Sequence, residues 1–450
     1  MSSLLIRGGR VLDPASGLDM ASGDILIEDG RIAAVGPDLT ERASTGSART
    51  DLKVIDASGL VVCPGFVDLH THLRDPGFEY KETIETGTRA AARGGFTTVC
   101  AMPNTEPPID SRSVVDYVLG RAAEAGVVRV LPIGCVTKGR AGTQLAELGE
   151  LAEAGCVAFS DDGAPVADAA VMRRALEYAS TFDTPVVDHC EDPQLAGGVM
   201  HEGWVSTRLG LQGIPAASEE SAIARDLALA AQTGARLHIA HISTAGGVEL
   251  VRRAKAAGLR VTAEVTPHHL ALTHEAVMHR EGESGLAYDT NAKMYPPLRR
   301  PEDVAACIEG LRDGTIDAVA TDHAPHAVQE KLCEFDAAAF GMSGLETAFA
   351  LAMTAVEIGV LSLERLVEAL TIGPVRALGL DRRVPGLGTL AVGASGDVVL
   401  LDPKREWLVD PEAFASKGKN TPLGGRRLRG QVVATAYAGE VVHALAGVGA

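Results

Sequence analysis

The chain has few cysteines for its length, and they are not grouped. Its 450 residues include seven cysteines with no CxxC pair among them: Cys63, Cys100, Cys135, Cys156, Cys190, Cys307 and Cys333. A disulfide framework needs an even set of cysteines, and a structural zinc site needs closely spaced pairs. Both are therefore excluded, and the scattered cysteines are typical of reduced core thiols in a cytoplasmic protein.

The chain also lacks an excess of basic residues and long apolar runs. With 41 Lys+Arg against 59 Asp+Glu, the net charge is −18, so nucleic acid is not expected as a partner. No uninterrupted apolar segment approaches the ~20 residues of a membrane-spanning helix. These absences favour a small-molecule ligand, and an anionic one is still compatible because local Arg, His or metal can reverse the field in a pocket.

The two ends of the chain share a strand-and-turn pattern that the middle lacks. LLIRGGRVLD and GDILIEDGRIAAVG lie near the start, and EDG within the second run indicates a hairpin. GTLAVGASGDVVLLD and RGQVVATAYAGEVVH repeat the pattern near the end. We therefore predict that 1–60 and 385–450 build one composite small β-sandwich-like domain, and that 61–384 form a separate unit.

Within 61–384, short apolar runs rich in β-branched residues alternate with segments of helical periodicity. Eight candidate strands are present: VVCPGFVDLHTHL, TTVCAMPN, VRVLPIGCVT, CVAFSDDG, TPVVDHC, ARLHIAHIS, LRVTAEVTPHHL and IDAVATDHAPH. Eight parallel strands with crossover helices predict an α/β fold, the (β/α)8 TIM barrel, whose active sites form at the carboxyl ends of the strands. The stretches 274–300 and 326–345 follow the last two strands and are candidate active-site loops.

Histidines and an aspartate close several of these strands. The first strand ends in DLHTHL, and three later strands end in VVDHCED, IAHIST and VATDHAPH, which supply His70, His72, His189, His241 and Asp322. A lone HxH is a weak signal, but three further groups at the same end of one barrel predict a metal site. Nitrogen and carboxylate ligands suit Zn²⁺ best, with Mn²⁺, Co²⁺ or Fe²⁺ as lesser candidates.

This pattern resembles the amidohydrolase superfamily, and the flanking residues resemble the dihydroorotase family. The similarity is carried by GFVDLHTHLRDPGFEYKETIETGTRAAARGGFTTVCAMPNTEP, FSDDG, NAKMYPPLR, TDHAPH and FGMSGLET, and it extends from about residue 5 to 440. It implies the reversible hydrolysis of (S)-dihydroorotate to N-carbamoyl-L-aspartate, a step of pyrimidine biosynthesis.

The resemblance also implies a ligand set and a mechanism. His70, His72 and Asp322 would hold one zinc, and His189 and His241 a second. Many relatives bridge the two with a carboxylated lysine after strand 4, whereas this chain has Asp161 and Asp162 there; we expect Asp162 to be the ligand, and one or two zinc ions per chain. Metal-activated hydroxide would attack the ring carbonyl, with Asp322 as general base and then general acid.

A carboxylate on the substrate must be recognised, and the resemblance assigns that role to Arg74, Asn104 and His326. Asn291 and the backbone around Phe340 and Gly341 would complete the pocket, and His72 would also contact substrate. The structural alternatives to substrate binding are a surface salt bridge of Arg74 to Asp75 or Glu79, and a turn role for Asn104 before Pro107. NAKMYPPLR departs from the family at Tyr295, where relatives usually carry Asn, which weakens the assignment of Asn291.

The remaining histidines are predicted to be structural. His268 and His269 are expected to pack around the site, His238 to lie in the core on the opposite face of its strand, and His323 to point away from the metal. We expect His201, His274, His279 and His443 to be solvated because their sequence surroundings are polar.

Two other functions compete with dihydroorotase. The first is a sister ring hydrolase such as a dihydropyrimidinase, hydantoinase or allantoinase, which is disfavoured because those relatives typically use the missing lysine. The second is a catalytically dead scaffold for aspartate carbamoyltransferase, which is disfavoured because such chains usually lose metal ligands. An active enzyme that associates with that transferase, or with copies of itself, fits the sequence better.

Overall fold

The computed structural model describes residues 3–40, 52–278 and 287–448. Its first elements are five strands, all outside the barrel: β1 (Ser3–Asp13), β2 (Leu18–Glu28), β3 (Arg31–Gly36), β4 (Leu52–Asp56) and β5 (Val61–Pro64). The predicted hairpin is present between β2 and β3, where Asp29 and Gly30 have φ of 48° and 76°. Two consecutive positive φ values are those of a tight turn whose twist matches the strands it joins.

The middle of the chain alternates strands and helices. In chain order these are β6 (Phe66–Thr71), α1 (Ile84–Arg93), β7 (Phe96–Ala101), α2 (Arg112–Ala125), β8 (Arg129–Pro132), α3 (Leu148–Ala154), α4 (Ala169–Ser180), β9 (Val186–Asp188), β10 (Met200–His201), α5 (Trp204–Leu209), β11 (Gly213–Ile214), α6 (Ala216–Thr233), β12 (Leu237–Ile239), α7 (Ala245–Ala256), β13 (Val261–Val265), α8 (Pro267–Ala271), α9 (Pro301–Asp313), β14 (Ala318–Val319), α10 (Val328–Lys331), α11 (Ala348–Glu357), α12 (Leu363–Leu370) and α13 (Ile372–Leu378). Short 3-10 turns occur at Lys138–Arg140, His274–Val277, Thr290–Ala292, Leu345–Thr347, Leu380–Arg382 and Pro411–Ala413.

The parallel strands close into the predicted (β/α)8 barrel. Strands β6, β7 and β8 pair in that order, and β9, β12, β13 and β14 form a second parallel run. The predicted fourth strand joins the two runs through Phe159, which bridges Gly134 on one side and Val186 on the other. A parallel bridge between Thr71 and His323 closes the ring. The barrel prediction is confirmed.

Local sequence explains where the barrel helices begin and why the strands are buried on both faces. The Thr83 side chain caps α1 and that of Asp168 caps α4, each accepting backbone N–H groups of the first turn. Along β7, Val99 packs in the cluster shared with the surrounding helices, whereas Cys100 packs in a second cluster with Val375 of α13. Neighbouring residues of a strand point to opposite faces, so both sides of the barrel wall are apolar.

The chain ends in three strands, β15 (Val398–Leu408), β16 (Arg427–Tyr437) and β17 (Glu440–Ala444). They join the first five strands in one eight-stranded sheet of order β17-β16-β15-β5-β1-β2-β3, with β4 also paired to β1. Strand β5 is the junction, because β1 runs parallel to it and β15 antiparallel. The division at 60 and 385 stays a prediction, and 41–51 of the first segment lie outside the described residues.

Candidate metal centre and active site

Four histidines from three barrel strands surround one aspartate. Asp162 Oδ1 lies 3.3 Å from His70 Nε2, 3.5 Å from His189 Nδ1 and 3.4 Å from His241 Nε2. Asp162 Oδ2 lies 3.5 Å from His72 Nε2. The structure therefore brings together the residues that the sequence placed at separate strand ends.

Asp322 completes the cluster from the end of the eighth strand. Its Oδ1 lies 3.0 Å from His72 Nε2 and 3.6 Å from His70 Nε2. Burial raises the pKa of both aspartates, but the neighbouring histidines outweigh it: the pKa of Asp162 falls well below its usual value, mainly through His70, and that of Asp322 falls mainly through His72. Both carboxylates are therefore ionised near neutral pH.

The donor set fits a pair of divalent cations. His70, His72 and Asp162 form one group of ligand atoms and Asp162, His189 and His241 another, each within 4.8 Å. Several of these buried atoms have no hydrogen-bond partner: His70 Nε2, Asp162 Oδ1, His189 Nδ1 and Nε2, and His241 Nε2. Buried polar atoms are rarely left unpaired, and a metal ion would satisfy them.

Asp161 and Asp162 have opposite surroundings. Asp161 Oδ1 accepts the backbone N–H of Val136 at 2.9 Å and of Thr137 at 3.1 Å, and its Oδ2 accepts the Thr137 hydroxyl. Its carboxylate thus ties the fourth strand to the loop after β8 and is turned away from the histidines. This geometry favours Asp162 as the bridging group.

A buried carboxylate that sequence reasoning missed supports His70. Glu264 in β13 accepts from His70 Nδ1 at 2.8 Å and from His238 Nε2 at 3.1 Å. Burial raises the pKa of Glu264, but these two histidines lower it to about 2. A proton on His70 Nδ1 leaves its Nε2 lone pair for a metal, so Glu264 fixes both the tautomer and the ring orientation. A single Glu within the apolar run RVTAEVTP is the signal that could have identified it.

Asn104 supports His72 in the same way. Its Oδ1 accepts from His72 Nδ1 at 2.8 Å, which leaves His72 Nε2 for metal. The side chain is therefore more than a turn residue.

Three site residues have backbone conformations that are uncommon for their types. Arg74, His241 and Asp322 have φ of 62°, 33° and 46°. Non-glycine residues in this region carry strain that the surrounding fold must maintain, and such residues concentrate at functional sites. The strain here falls where strands of the barrel end.

These groups line a cavity of about 230 Å³ at the carboxyl ends of the strands. Its lining residues are His72, Arg74, Asn104, Asp162, Gly163, His189, His241, Tyr295, Asp322, Ala324, His326, Phe340 and Gly341. Arg74 is buried and its Nε–H donates to the carbonyl of Pro325 at 3.3 Å, so the alternative of a surface salt bridge is wrong. His70 is fully buried and is not among the residues that line the cavity.

Asn291 is not among the cavity's lining residues, contrary to the prediction. Asn291 lies in the 3-10 turn Thr290–Ala292, where Asp289 Oδ1 accepts its backbone N–H at 3.1 Å. Tyr295 occupies the wall instead, with its ring centroid 4.5 Å from that of His189 and 5.3 Å from that of Phe340.

The loop after the eighth strand folds back on the cavity. His326 Nε2 donates to the carbonyl of Phe340 at 2.8 Å. Asn420, which sequence reasoning missed, accepts the His326 backbone N–H at 2.9 Å and donates to the carbonyls of Ala324 and Gly341. Burial and the nearby Arg74 guanidinium lower the pKa of His326 to about 2, so its ring is neutral.

The predictions for the other histidines are partly wrong. His201 and His274 are buried rather than solvated, and their ring centroids lie 5.3 Å apart. His443 is half-buried, and burial together with Arg93 lowers its pKa to about 4. His279 lies outside the described residues.

The predictions for His238, His268, His269 and His323 are confirmed. The first three are buried, and burial lowers the pKa of His268 to about 4. His323 Nε2 lies 3.3 Å from Glu82, away from the cavity.

A third group of possible ligands is already neutralised. Asp188, Cys190 and Asp226 lie within 4.8 Å of one another, but Arg225 contacts Asp226 at 2.7 Å and Asp188 at 3.9 Å. Burial and the adjacent Asp226 raise the pKa of Asp188, and the Arg225 guanidinium offsets the negative charge of this pair.

No helix within the described ranges 3–40, 52–278 and 287–448 is long and apolar enough to cross a bilayer.

Solved structures show the same fold. The chain superposes on L-hydantoinase (dihydropyrimidinase) from Arthrobacter aurescens with a TM-score of 0.85 and 27% identity, covering 100% of this chain and 97% of that one. A D-hydantoinase structure matches with a TM-score of 0.82 and 26% identity, covering 99% and 95%.

Sequence relatives give the family. A family model described as dihydro-orotase-like matches residues 59–246. A protein named dihydroorotase from Anaeromyxobacter sp. (strain K) is 56% identical over 441 residues, covering 98% of both chains. Another from Syntrophotalea carbinolica is 52% identical over 443 residues, covering 98% of this chain and 99% of that one. With this likeness over nearly its whole length and a cavity lined by the histidines and aspartates of its barrel strands, the chain belongs to the dihydroorotase family of cyclic amidohydrolases.

Proposed function

We propose that the protein is a zinc-dependent dihydroorotase that reversibly hydrolyses (S)-dihydroorotate to N-carbamoyl-L-aspartate. The single observation that carries this is the joint presence, in one cavity, of a metal-ligand cluster centred on Asp162 and a buried guanidinium, Arg74. The cluster would bind the metal that activates water for hydrolysis, and the guanidinium would bind the carboxylate of the substrate ring.

His70, His72, Asp162, His189, His241 and Asp322 would hold the metal. Their nitrogen and carboxylate donors are those that zinc prefers, and Asp162 is positioned to be shared by both groups of histidines. When bound, the metal would acidify water and polarise the amide carbonyl.

Asp322 is the proposed general base and acid. Its carboxylate is ionised, lines the cavity and lies 3.0 Å from His72 Nε2. It accepts a proton from the attacking water at a carboxylate oxygen and delivers it to the departing ring nitrogen. Without that proton the ring nitrogen would leave as an anion, which is a poor leaving group.

Arg74, Asn104 and His326 are the proposed carboxylate contacts, with Phe340, Gly341 and His72 completing the pocket. Arg74 keeps its positive charge, since burial lowers its pKa only to about 10. A guanidinium and a carboxylate form charge-assisted hydrogen bonds, and the planar fork fixes the ring orientation. We do not retain Asn291 as a contact; Tyr295 takes its place on the wall.

The test is turnover by purified protein loaded with Zn²⁺, with metal content measured in the same sample. Dihydroorotate should be hydrolysed, and N-carbamoyl-L-aspartate should cyclise in the reverse direction. Fully zinc-loaded protein that turns over neither compound, alone or with aspartate carbamoyltransferase, would refute the proposal.

A second candidate is a hydantoinase-type ring hydrolase, favoured by the fold neighbours. Arg74 argues against it, because hydantoin and dihydrouracil carry no ring carboxylate to match a buried guanidinium. Rates on dihydroorotate, dihydrouracil, hydantoin and allantoin, measured side by side, separate the two.

Partners beyond substrate are also proposed from the family likeness. We expect a homo-oligomer located in the cytoplasm, with association to aspartate carbamoyltransferase as a further proposal. Gel filtration of the protein alone and mixed with that transferase tests both associations.

A further inference from the structure

Two buried lysines hold the loop that carries Phe340 and Gly341. Lys293 is 2% exposed and Lys331 is 5% exposed. Lys293 follows the 3-10 turn Thr290–Ala292, and Lys331 ends α10. The Lys293 side chain reaches main-chain carbonyls that follow α10, and the Lys331 side chain reaches the turn that precedes Lys293.

Lys293 contacts both ends of the segment 335–341. Its Nζ donates to the carbonyls of Phe335 at 2.8 Å and Asp336 at 2.9 Å. The same Nζ lies 4.4 Å from the ring centroid of Phe340. Its own carbonyl accepts the Gly341 N–H at 2.8 Å. One residue thus fixes the start of the segment, an aromatic side chain and the glycine amide.

Lys331 makes the reciprocal connection. Its Nζ donates to the carbonyl of Thr290 at 3.0 Å and to that of Ala339 at 2.6 Å. Thr290 Oγ1 donates back to the Lys331 carbonyl at 2.7 Å. The residue before Phe340 is therefore tied to the turn that precedes Lys293.

Burial of these two ammonium groups has a cost in solvation free energy. Burying an ammonium group against neutral carbonyls costs solvation energy, and burial lowers the pKa of both Lys293 and Lys331. Apolar side chains of similar size often replace buried charges without loss of stability. What an ammonium gives and a methionine does not is several donors that fix separate carbonyls at once.

The segment they hold is pressed against the barrel. Gly341 has φ of 114°, and a Cβ there would lie 2.5 Å from the Cβ of Ala324. Small displacements of Phe340 and Gly341 therefore change the cavity wall directly.

We propose that Lys293 and Lys331 are positioning residues that fix the main chain at Phe340 and Gly341 for substrate binding. This rests on the proposed function, in which those two residues contact dihydroorotate. Such contacts act equally in the ground state and the transition state, so loosening them raises KM and leaves kcat nearly unchanged.

The test uses Lys293→Met and Lys331→Met in the full-length, zinc-loaded protein. We expect KM for dihydroorotate to rise by about tenfold or more, kcat to stay within about twofold and zinc content to be unchanged. Hydrogen exchange of backbone amides in 332–343 should accelerate in both variants. Unchanged KM, a loss confined to kcat, or wild-type exchange rates would overturn the proposal.

Lys255→Met is the matched control. Lys255 Nζ contacts Asp317 Oδ2 at 2.7 Å and the carbonyl of Gly314 at 3.1 Å, at the start of the eighth strand and away from the cavity. The KM of the Lys255→Met enzyme and its hydrogen exchange in 332–343 should match those of wild type.

Two further arms keep the test decisive. If a methionine variant does not fold, Lys293→Gln and Lys331→Gln retain an uncharged donor and should give an intermediate KM. A wild-type KM for these glutamine variants would contradict the positioning role of the two lysines. If wild-type protein does not hydrolyse dihydroorotate, the proposed function fails, whereas the exchange measurement still decides whether the lysines fix the loop.

Discussion

At the scale of single residues, the proposed metal centre depends on the position of the Asp162 carboxylate among the histidines. One carboxylate oxygen faces His70, His189 and His241. Because aspartate is short, this arrangement requires the fourth strand to lie close to its neighbours on both sides, which the bridges of Phe159 provide. The position of the ligand is therefore set by the barrel wall rather than by the length of a flexible side chain.

Replacing Asp322 by Asn should remove catalysis and keep the metal. The amide has nearly the same shape but cannot accept the proton of water, so we expect kcat to fall by about 10³-fold. Steady-state kinetics and metal analysis on the same sample measure both quantities. Asp116→Asn, at an exposed position of α2, is the control and should be unchanged; an active Asp322→Asn enzyme would contradict the assigned role.

Glu264→Gln should weaken metal binding. The amide keeps the shape but loses the charge that orients His70 and His238, and such changes around metal ligands typically reduce affinity by about 10- to 100-fold. Competition with a chromophoric chelator measures the zinc dissociation constant. Glu249→Gln, on the exposed face of α7, should leave it unchanged, and equal constants for the two variants would argue against the orienting role.

Lys331 should make folding stability rise with pH. Its pKa is lowered by burial, and by Lys293, from 10.5 in the unfolded chain to about 7. Below about pH 7 both states are protonated and the cost of the buried ammonium is fully present. Between pH 7 and 10.5 the unfolded state binds more protons, so this residue adds up to about 1.4 kcal/mol per pH unit.

Urea unfolding at pH 7, 8 and 9 tests this slope. The free energy of unfolding of wild type minus that of Lys331→Met should increase over the range. Parallel curves for the two proteins would show that Lys331 does not titrate there.

At the scale of elements, strand β5 passes directly into β6 through Gly65, which joins the eight-stranded sheet to the barrel. A Cβ at Gly65 would lie 2.2 Å from Thr97 Oγ1 in β7. This close approach, rather than a special backbone angle, is what requires glycine, because β7 must pair with β6 immediately beyond it.

Gly65→Ala should therefore destabilise the protein by about 1 to 3 kcal/mol through overpacking. Gly120→Ala in α2 is the matched control, since nothing lies within 4 Å of a Cβ there, and it should stabilise by about 0.5 to 1 kcal/mol. Urea midpoints measure both. Equal midpoints for the two variants would contradict the packing argument.

The barrel strands and the convergence of His70, His72, His189, His241 and Asp322 could be predicted from sequence, because parallel strands need apolar runs and their carboxyl ends meet at one face. The fourth strand was predicted in the right place but contributes only bridges at Phe159. Asn420, Lys293 and Lys331 were missed because they act through main-chain carbonyls, which have no sequence signature. Asn291 was predicted to contact substrate, but the cavity wall includes Tyr295 and not Asn291.

At the scale of the whole molecule, removing the metal should lower thermal stability. Without it, two ionised aspartates and four histidines remain buried together. A ligand that binds only the folded state stabilises it by about 4 kcal/mol at 1,000 times its dissociation constant. Scanning calorimetry with and without a chelator should show a lower Tm for the metal-free protein, restored by Zn²⁺. An unchanged Tm would mean that the cluster binds metal weakly.

The eight-stranded sheet can be completed only when the last strands of the chain have been synthesised. Strand β5 pairs with β15 through Val61–Pro64 and Val398–Leu401, and the entire barrel lies between them in the chain. As a ribosome delivers the chain, β1 to β5 emerge first, so one edge of β5 stays open until the last strands appear. An open edge invites pairing with other chains. A protein cut after the barrel would retain every proposed metal ligand and still be prone to aggregate.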